Sequence, residues 1–249
     1  MVVMEIVTVV KNDVKVIEIK NLSFQYDKKI IFKNLNLDIN KGSVFGLLGK
    51  NGVGKSTLIN ILMGYLKPNE GKCLIFNEPS HNITAQTKEK IALLHEGFIS
   101  YDYMSISQIE QFFKPFYKKW ESSIFYELVD LMKLDYTQKL SSLSFGQKSQ
   151  VVLGCLFAQN AELMILDDYS MGLDAGYRRL FNNYLKDYIK KTGTTVLITS
   201  HVMNDLENLI EDMIIVQKDG VIYKDTMKNF NKDKSTTFED KFLDVVGLY

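Results

Sequence analysis

The chain has little sulfur of the kind that builds sites. Its two cysteines, Cys73 and Cys155, stand far apart in apolar surroundings, with no partner at metal-ligand spacing. That excludes a thiolate metal cluster and fits two reduced, buried thiols in a reducing compartment. No run approaches the roughly 18–20 consecutive apolar residues that a membrane helix needs. The apolar first ten residues are interrupted by Glu5 and follow no basic segment, so they read as a strand and not as a signal peptide. Excess charge is missing too: 30 Lys and Arg balance 30 Asp and Glu. A neutral chain argues against nucleic acid as the main partner, because phosphate backbones select basic surfaces. Together these absences predict a cytoplasmic protein that reaches a membrane only through a partner.

What is present describes an ordinary globule, 46% apolar and 24% charged over 249 residues, long enough for one α/β domain or a core with an inserted lobe. Its most informative stretch is Gly49-Lys50-Asn51-Gly52-Val53-Gly54-Lys55-Ser56-Thr57. An apolar run, Val44-Phe45-Gly46-Leu47-Leu48, precedes it, and a second opens at Leu58-Ile59. Strand, glycine-rich loop and helix in that order make a phosphate-binding loop. Gly49, Gly52 and Gly54 allow turns in which successive N–H groups point inward at phosphate oxygens. The helix beginning near Gly54 adds its positive end. Lys55 is placed to carry charge to the β- and γ-phosphates, and the Ser56 hydroxyl to bind Mg²⁺. The stretch predicts a nucleoside triphosphate site.

Before the loop, residues 14–19 and 22–26 alternate at period two, and residues 30–39 supply a further pair of strand-like segments with Leu35, Leu37 and Ile39 on one face. The first fifty residues therefore predict an antiparallel sheet beside an α/β core. After it the pattern predicts a helix over 58–66, a strand over 72–76 and a buried strand at Ile91-Ala92-Leu93-Leu94. Strand signals then vanish until residue 140. Ser105 or Ser107 is placed to cap a helix running through Ile109, Phe112, Phe113 and Phe116, and Ile124, Leu128, Leu131 and Met132 mark a second helical stripe. Further on come an apolar helix over 151–159 and a buried strand, Leu163-Met164-Ile165-Leu166, that ends in Asp167-Asp168. An amphipathic helix over 177–191, stopped by Gly193, leads to a strand over 194–199 that ends at Ser200-His201. Strands alternating with helices imply a parallel sheet whose ligands gather at the carboxyl ends of its strands. The loop at Gly49, Glu96, Asp167 and His201 all fall there.

Four further motifs resemble one family. Leu143-Ser144-Phe145-Gly146-Gln147 is similar to the L-S-G-G-Q signature of ATP-binding cassette (ABC) proteins. Residues 163–168 resemble the Walker B strand, Gly172-Leu173-Asp174 the D-loop, and His201 the switch histidine; Tyr26 stands where the family has its adenine-stacking aromatic. The resemblance covers essentially the whole chain. It implies an α/β P-loop NTPase core (1–95 and 141–230) with an antiparallel β subdomain, an inserted α-helical subdomain (96–140) and a short C-terminal helix (231–249).

The same resemblance assigns roles. Tyr26 stacks on adenine, Gly49 through Thr57 hold the phosphates, and Lys55 acts in catalysis as well as binding. Ser56 and Asp167 hold Mg²⁺. Asp168 falls where most members place a glutamate that polarises the attacking water; it is one methylene shorter, and mispositioning by about 1 Å costs on the order of 100-fold. Asp168 is thus the expected base, with a slow or binding-only cassette as the alternative. His201 contacts the γ-phosphate. Glu96 replaces the usual glutamine and either ligates Mg²⁺ or salt-bridges to a partner. Ser144, Gly146, Gln147 and Asp174 serve ATP held by a second ATPase subunit, a copy of this chain or a paralogue, giving two ATPs sandwiched head to tail.

A soluble ABC-type switch unlinked to transport is the other class. Such relatives usually carry two cassettes, coiled coils or zinc modules, which are lacking here. The expected protein is therefore the ATP-hydrolysing subunit of a membrane transporter, peripheral on the inner face of the membrane, with a separate permease docking near 97–120. The run from Asp168 to Asp174 and the short stretch beyond Phe230, with no regulatory domain expected after it, resemble Gram-positive peptide and drug exporters, including the phenol-soluble-modulin type.

Overall fold

The computed structural model describes residues 14–95, 101–170, 173–200, 203–233 and 235–247. Strands β1 (Lys15–Tyr26) and β2 (Lys29–Asn40) pair antiparallel from Tyr26↔Lys29 to Lys15↔Asn40. The sequence pattern suggests shorter segments; each is instead one continuous strand with a bulge. Asn21 (φ +49) and Asn34 (φ +54) adopt left-handed backbone, which asparagine tolerates better than most residues. The Asn36 carboxamide accepts from the Asn21 N–H at 3.0 Å, and the Ser23 hydroxyl from the Asn34 N–H at 3.1 Å. Each bulge shifts the parity of the strand, so Ile17 and Ile19 before it and Leu22 and Phe24 after it all reach the buried face.

The chain then enters β3 (Val44–Gly49), buried along its whole length, and passes through the glycine-rich loop into α1 (Lys55–Leu62). This helix is shorter than the span 58–66 read from the sequence. It stops before Gly64, which has φ +73 and sits so close to the Ser80 carbonyl that a Cβ there would lie 2.4 Å from it. Strands β4 (Glu70–Ile75) and β5 (Glu78–Pro79) complete a four-stranded antiparallel sheet in the order β2-β1-β4-β5.

Next come α2 (Ala85–Lys88), β6 (Ile91–Leu94), α3 (Ile106–Phe113), α4 (Ser122–Leu131), α5 (Phe145–Ala158) and β7 (Leu163–Leu166). They are followed by α6 (Ala175–Thr192), β8 (Thr195–Ile198), α7 (Met203–Leu206), β9 (Asp212–Val216), β10 (Ile222–Thr226), α8 (Met227–Phe230) and α9 (Phe238–Val245). The second sheet has the order β10-β9-β3-β8-β7-β6, parallel except at β10. Its central strands β3, β7 and β8 are buried on both faces, which is why they read as unbroken apolar runs. On one face Leu47, Ile165, Leu197 and Ile214 pack with the antiparallel sheet and α1. On the other, Leu48, Met164, Leu166, Val196 and Ile198 pack with α5, α6 and the C-terminal Phe238 and Phe242.

Helices α3 and α4 share a third apolar cluster with α5, built on Ile106, Ile109, Phe125, Val129, Val151 and Cys155. Ser105 is the residue that caps α3, in a reciprocal capping box with Gln108. The stripe expected on α4 is rotated: its buried residues are Ile124, Phe125, Leu128 and Val129, while Leu131 is half exposed, because Phe125 and Val129 turn toward α3 and α5. Helix α5 feeds two clusters at once, Leu153, Leu156 and Phe157 facing the parallel sheet and Val151, Cys155 and Ala158 facing the helices. That explains an apolar pattern without a polar face. Among the described residues, no helix is long and apolar enough to cross a membrane.

Candidate functional site

Parallel register sets the site. Gly46 pairs with Ile198 and Leu166 with Ile198, so the carboxyl ends of β3, β7 and β8 lie side by side. A cleft of about 350 Å³ opens there. Its floor is the glycine-rich loop, with Asn51, Gly52, Gly54, Lys55, Ser56 and Thr57 on its surface. Gly54, the residue before α1, has φ +120, and a Cβ on it would stand 2.4 Å from Ile31 and 3.1 Å from the ring of Phe32. Any larger residue would be strained there and would force Ile31 to shift. No side chain caps α1 or α4, whereas α3, α5, α6 and α9 are capped by Ser105, Ser144, Asp174 and Thr237. An uncapped helix start behind a glycine turn suits an anion such as a phosphate. The Lys55 ammonium donates to the carbonyls of Gly49 (2.8 Å) and Lys50 (3.0 Å), bracing the loop. Gly49, Lys50 and Val53 belong to the loop but do not line the cleft.

Opposite the loop stand Asp167 and Asp168, at the exit of β7. Asp167 is only 3% exposed. A buried carboxylate facing a phosphate cradle is a fitting oxygen donor for Mg²⁺, and the Ser56 hydroxyl beside Lys55 adds a second one. Asp168 has φ +49, a left-handed conformation uncommon among non-glycine residues, although aspartate adopts it more readily than most. Its N–H donates to the Thr199 hydroxyl at 2.8 Å, and that hydroxyl donates to Asp167 Oδ1 at 2.9 Å. Tyr169, next in the chain, is buried and donates to Asn182 at 2.8 Å; burial pushes its phenol well above the ordinary range.

The remaining wall comes from the turn between β1 and β2: Tyr26, Lys29 and Ile31. Tyr26 is 45% exposed, and its ring meets Phe24 edge-on at 4.9 Å, which steadies it while leaving a face open. Lys29 and Ile31 are not among the residues picked out from the sequence. Nothing local marks them; the β1–β2 pairing carries them to the loop. Thr199 is equally unmarked, although it closes an apolar strand two residues before His201.

The signature residues stand elsewhere, and none lines the cleft. Ser144 caps α5: its hydroxyl accepts from the Gln147 N–H (3.3 Å), and the Gln147 carboxamide accepts from the Ser144 N–H (2.9 Å). Phe145, where the family signature has glycine, is half exposed. Asp174 caps α6 by accepting from the Tyr177 N–H at 2.9 Å. Glu96, His201 and Gly172 lie outside the described residues, as does part of the expected docking segment 97–120.

A family model described as ABC transporter matches residues 32–170. The chain is 31% identical to the SkfA peptide export ATP-binding protein SkfE of Bacillus subtilis (strain 168), over 85% of this chain and 89% of that protein. It is 27% identical to the spermidine/putrescine import ATP-binding protein PotA of Clostridium acetobutylicum, over 93% of this chain and 67% of that one. Among solved structures, an ATP-binding subunit of an ABC transporter superposes with a TM-score of 0.79 at 19% identity, covering 92% of this chain and 99% of its own.

Proposed function

The chain belongs to the ABC transporter family and is an ATPase that takes ATP with Mg²⁺, and from that premise we propose that it drives a peptide or drug exporter by closing head to tail on a second ATPase subunit. The division of its motifs supports this reading most directly. Phosphate loop, Asp167 and Asp168 share one cleft, while Ser144 and Gly146 do not line it. The signature stands at the start of the 14-residue helix α5, whose positive end favours phosphate carried by another subunit even with Ser144 as its cap.

Within the cleft, Tyr26 stacks on adenine and Lys55 turns from its loop carbonyls to the phosphates. Ser56 and Asp167 hold Mg²⁺, which when bound neutralises phosphate charge. Asp168 takes the proton of the attacking water, and His201 contacts the γ-phosphate. Glu96 ligates the metal or meets a partner. Asp174 and Gln147 complete the sandwich.

The permease docks along 97–120, where Tyr103 and Phe116 are 68% and 64% exposed on one helical lobe. Aromatic side chains left in water at that density suit a helix laid against them. Docked there, the chain sits on the cytoplasmic face of a membrane. Export of peptides is supported by the similarity to SkfE; the similarity to PotA favours import as the second reading. Sedimentation of the Asp168→Asn chain tests the sandwich. ATP with Mg²⁺ should convert it to a dimer if the second subunit is a copy of this chain, and a chain that stays monomeric at saturating ATP contradicts a sandwich of two copies.

A further inference from the structure

Thr199 lies one residue beyond β8 and has no exposed surface. Its hydroxyl is engaged twice, accepting from the Asp168 N–H at 2.8 Å and donating to Asp167 Oδ1 at 2.9 Å. One oxygen therefore sets the rotation of one carboxylate and the backbone of the next. The backbone needs such support: left-handed φ at a non-glycine residue is held only where surrounding contacts over-determine it. Two further links join the same stretches. The hydroxyls of Ser170 and Ser200, both buried, meet at 2.8 Å. Arg178 donates to the Leu173 carbonyl at 2.6 Å and meets the Asp205 carboxylate at 3.0 Å. The chain leaving β7 is thus tied to the chain leaving β8 at three levels, and Thr199 is the level at the cleft.

We propose that Thr199 is the positioning residue of this site: its hydroxyl orients Asp167 and holds Asp168 in the left-handed turn from which its short side chain faces the cleft. The proposal rests on the reading of Asp167 as metal ligand and Asp168 as base. It also gives the shorter acid a physical setting, because backbone placement and side-chain length together decide where a carboxylate stands.

The test compares the full chain with Thr199→Val, Thr199→Ser and Asp168→Asn, following ATP turnover and ATP binding at equilibrium with and without Mg²⁺. Valine keeps the shape and removes the hydroxyl. Loss of an outer partner of a metal ligand costs roughly 10- to 100-fold, so kcat should fall by that order in Thr199→Val. Binding without Mg²⁺ should stay as in the parent, and the gain in affinity that Mg²⁺ gives should shrink. Thr199→Ser should restore most of both. Turnover and Mg²⁺ gain at parent levels in Thr199→Val overturn the proposal, and so does a serine variant as impaired as valine. If valine does not fold, Thr199→Ser against Thr199→Ala isolates the same hydroxyl. Asp168→Asn at the parent's rate would defeat the base assignment alone; the Mg²⁺ gain in Thr199→Val still decides for or against Thr199.

Discussion

Gly146 and Tyr177 touch across the starts of α5 and α6: a Cβ on Gly146 would stand 2.6 Å from Cδ2 of the Tyr177 ring. The signature helix and the helix that follows the D-loop therefore meet without spare volume. The start of α5 is fixed by this contact as well as by the capping box of Ser144.

Gly146→Ala should accordingly destabilise the fold. Alanine for glycine inside a helix ordinarily stabilises by about 1 kcal/mol; overpacking reverses the sign and costs about 1–3 kcal/mol. Urea unfolding of Gly146→Ala should show that loss, and a Tyr177→Ala background should abolish it. A gain in the single variant would contradict the contact.

Trp120 reports on the helical lobe. Its indole N–H donates to Glu110 at 2.9 Å, and the buried Glu110 carboxylate also accepts from Ser122 at 2.5 Å. Glu110→Ala leaves the indole donor without this partner, at a cost of about 1–3 kcal/mol. As Trp120 is the sole tryptophan, its fluorescence during denaturation reads the effect directly. An unchanged midpoint would dismiss the link as unimportant.

Lys55→Ala removes the proposed phosphate ligand and the brace to the Gly49 and Lys50 carbonyls together. Hydrogen bonds to charged groups contribute about 1.5–3 kcal/mol, so ATP affinity should fall on the order of tenfold or more in calorimetric titration. Unchanged affinity would contradict the assignment of the loop.

Alkaline stability carries a signature of Cys73. Burial pushes its thiol from the ordinary 9.0 up to about 11, against a smaller opposing effect of Ser80. The unfolded chain then loses this proton first as pH rises. The thiol's contribution to stability is whole below about pH 9 and is lost between there and about pH 11. Cys73→Ala should flatten that part of the stability curve relative to the parent. Parallel curves for the two chains would show that the thiol ionises freely in the folded state.

Much of this was legible in the sequence, for physical reasons that differ by element. Strands β3, β7 and β8 are buried on both faces, so their apolar runs announce them, and the loop between β3 and α1 carries its chemistry in consecutive residues. Gly193 ends α6 as expected, in left-handed backbone at φ +68. Features that depend on distant partners were not legible. Helix α1 ends where Gly64 meets Ser80, and Lys29 and Ile31 join the cleft because β2 folds back on β1. Thr199 gains its role from two aspartates more than thirty residues away. Leu131 looked like core by spacing alone, but the phase of α4 is set by Phe125 packing against α5.

The most direct measurement is ATP turnover by the purified chain beside its Asp168→Asn variant, with permease-containing membrane both present and absent. The parent should hydrolyse ATP, and asparagine at 168, which cannot take a proton, should stop it while ATP still binds. A parent that binds ATP yet turns it over no faster than Asp168→Asn, in both conditions, would contradict Asp168 as the base and make the chain a binding switch.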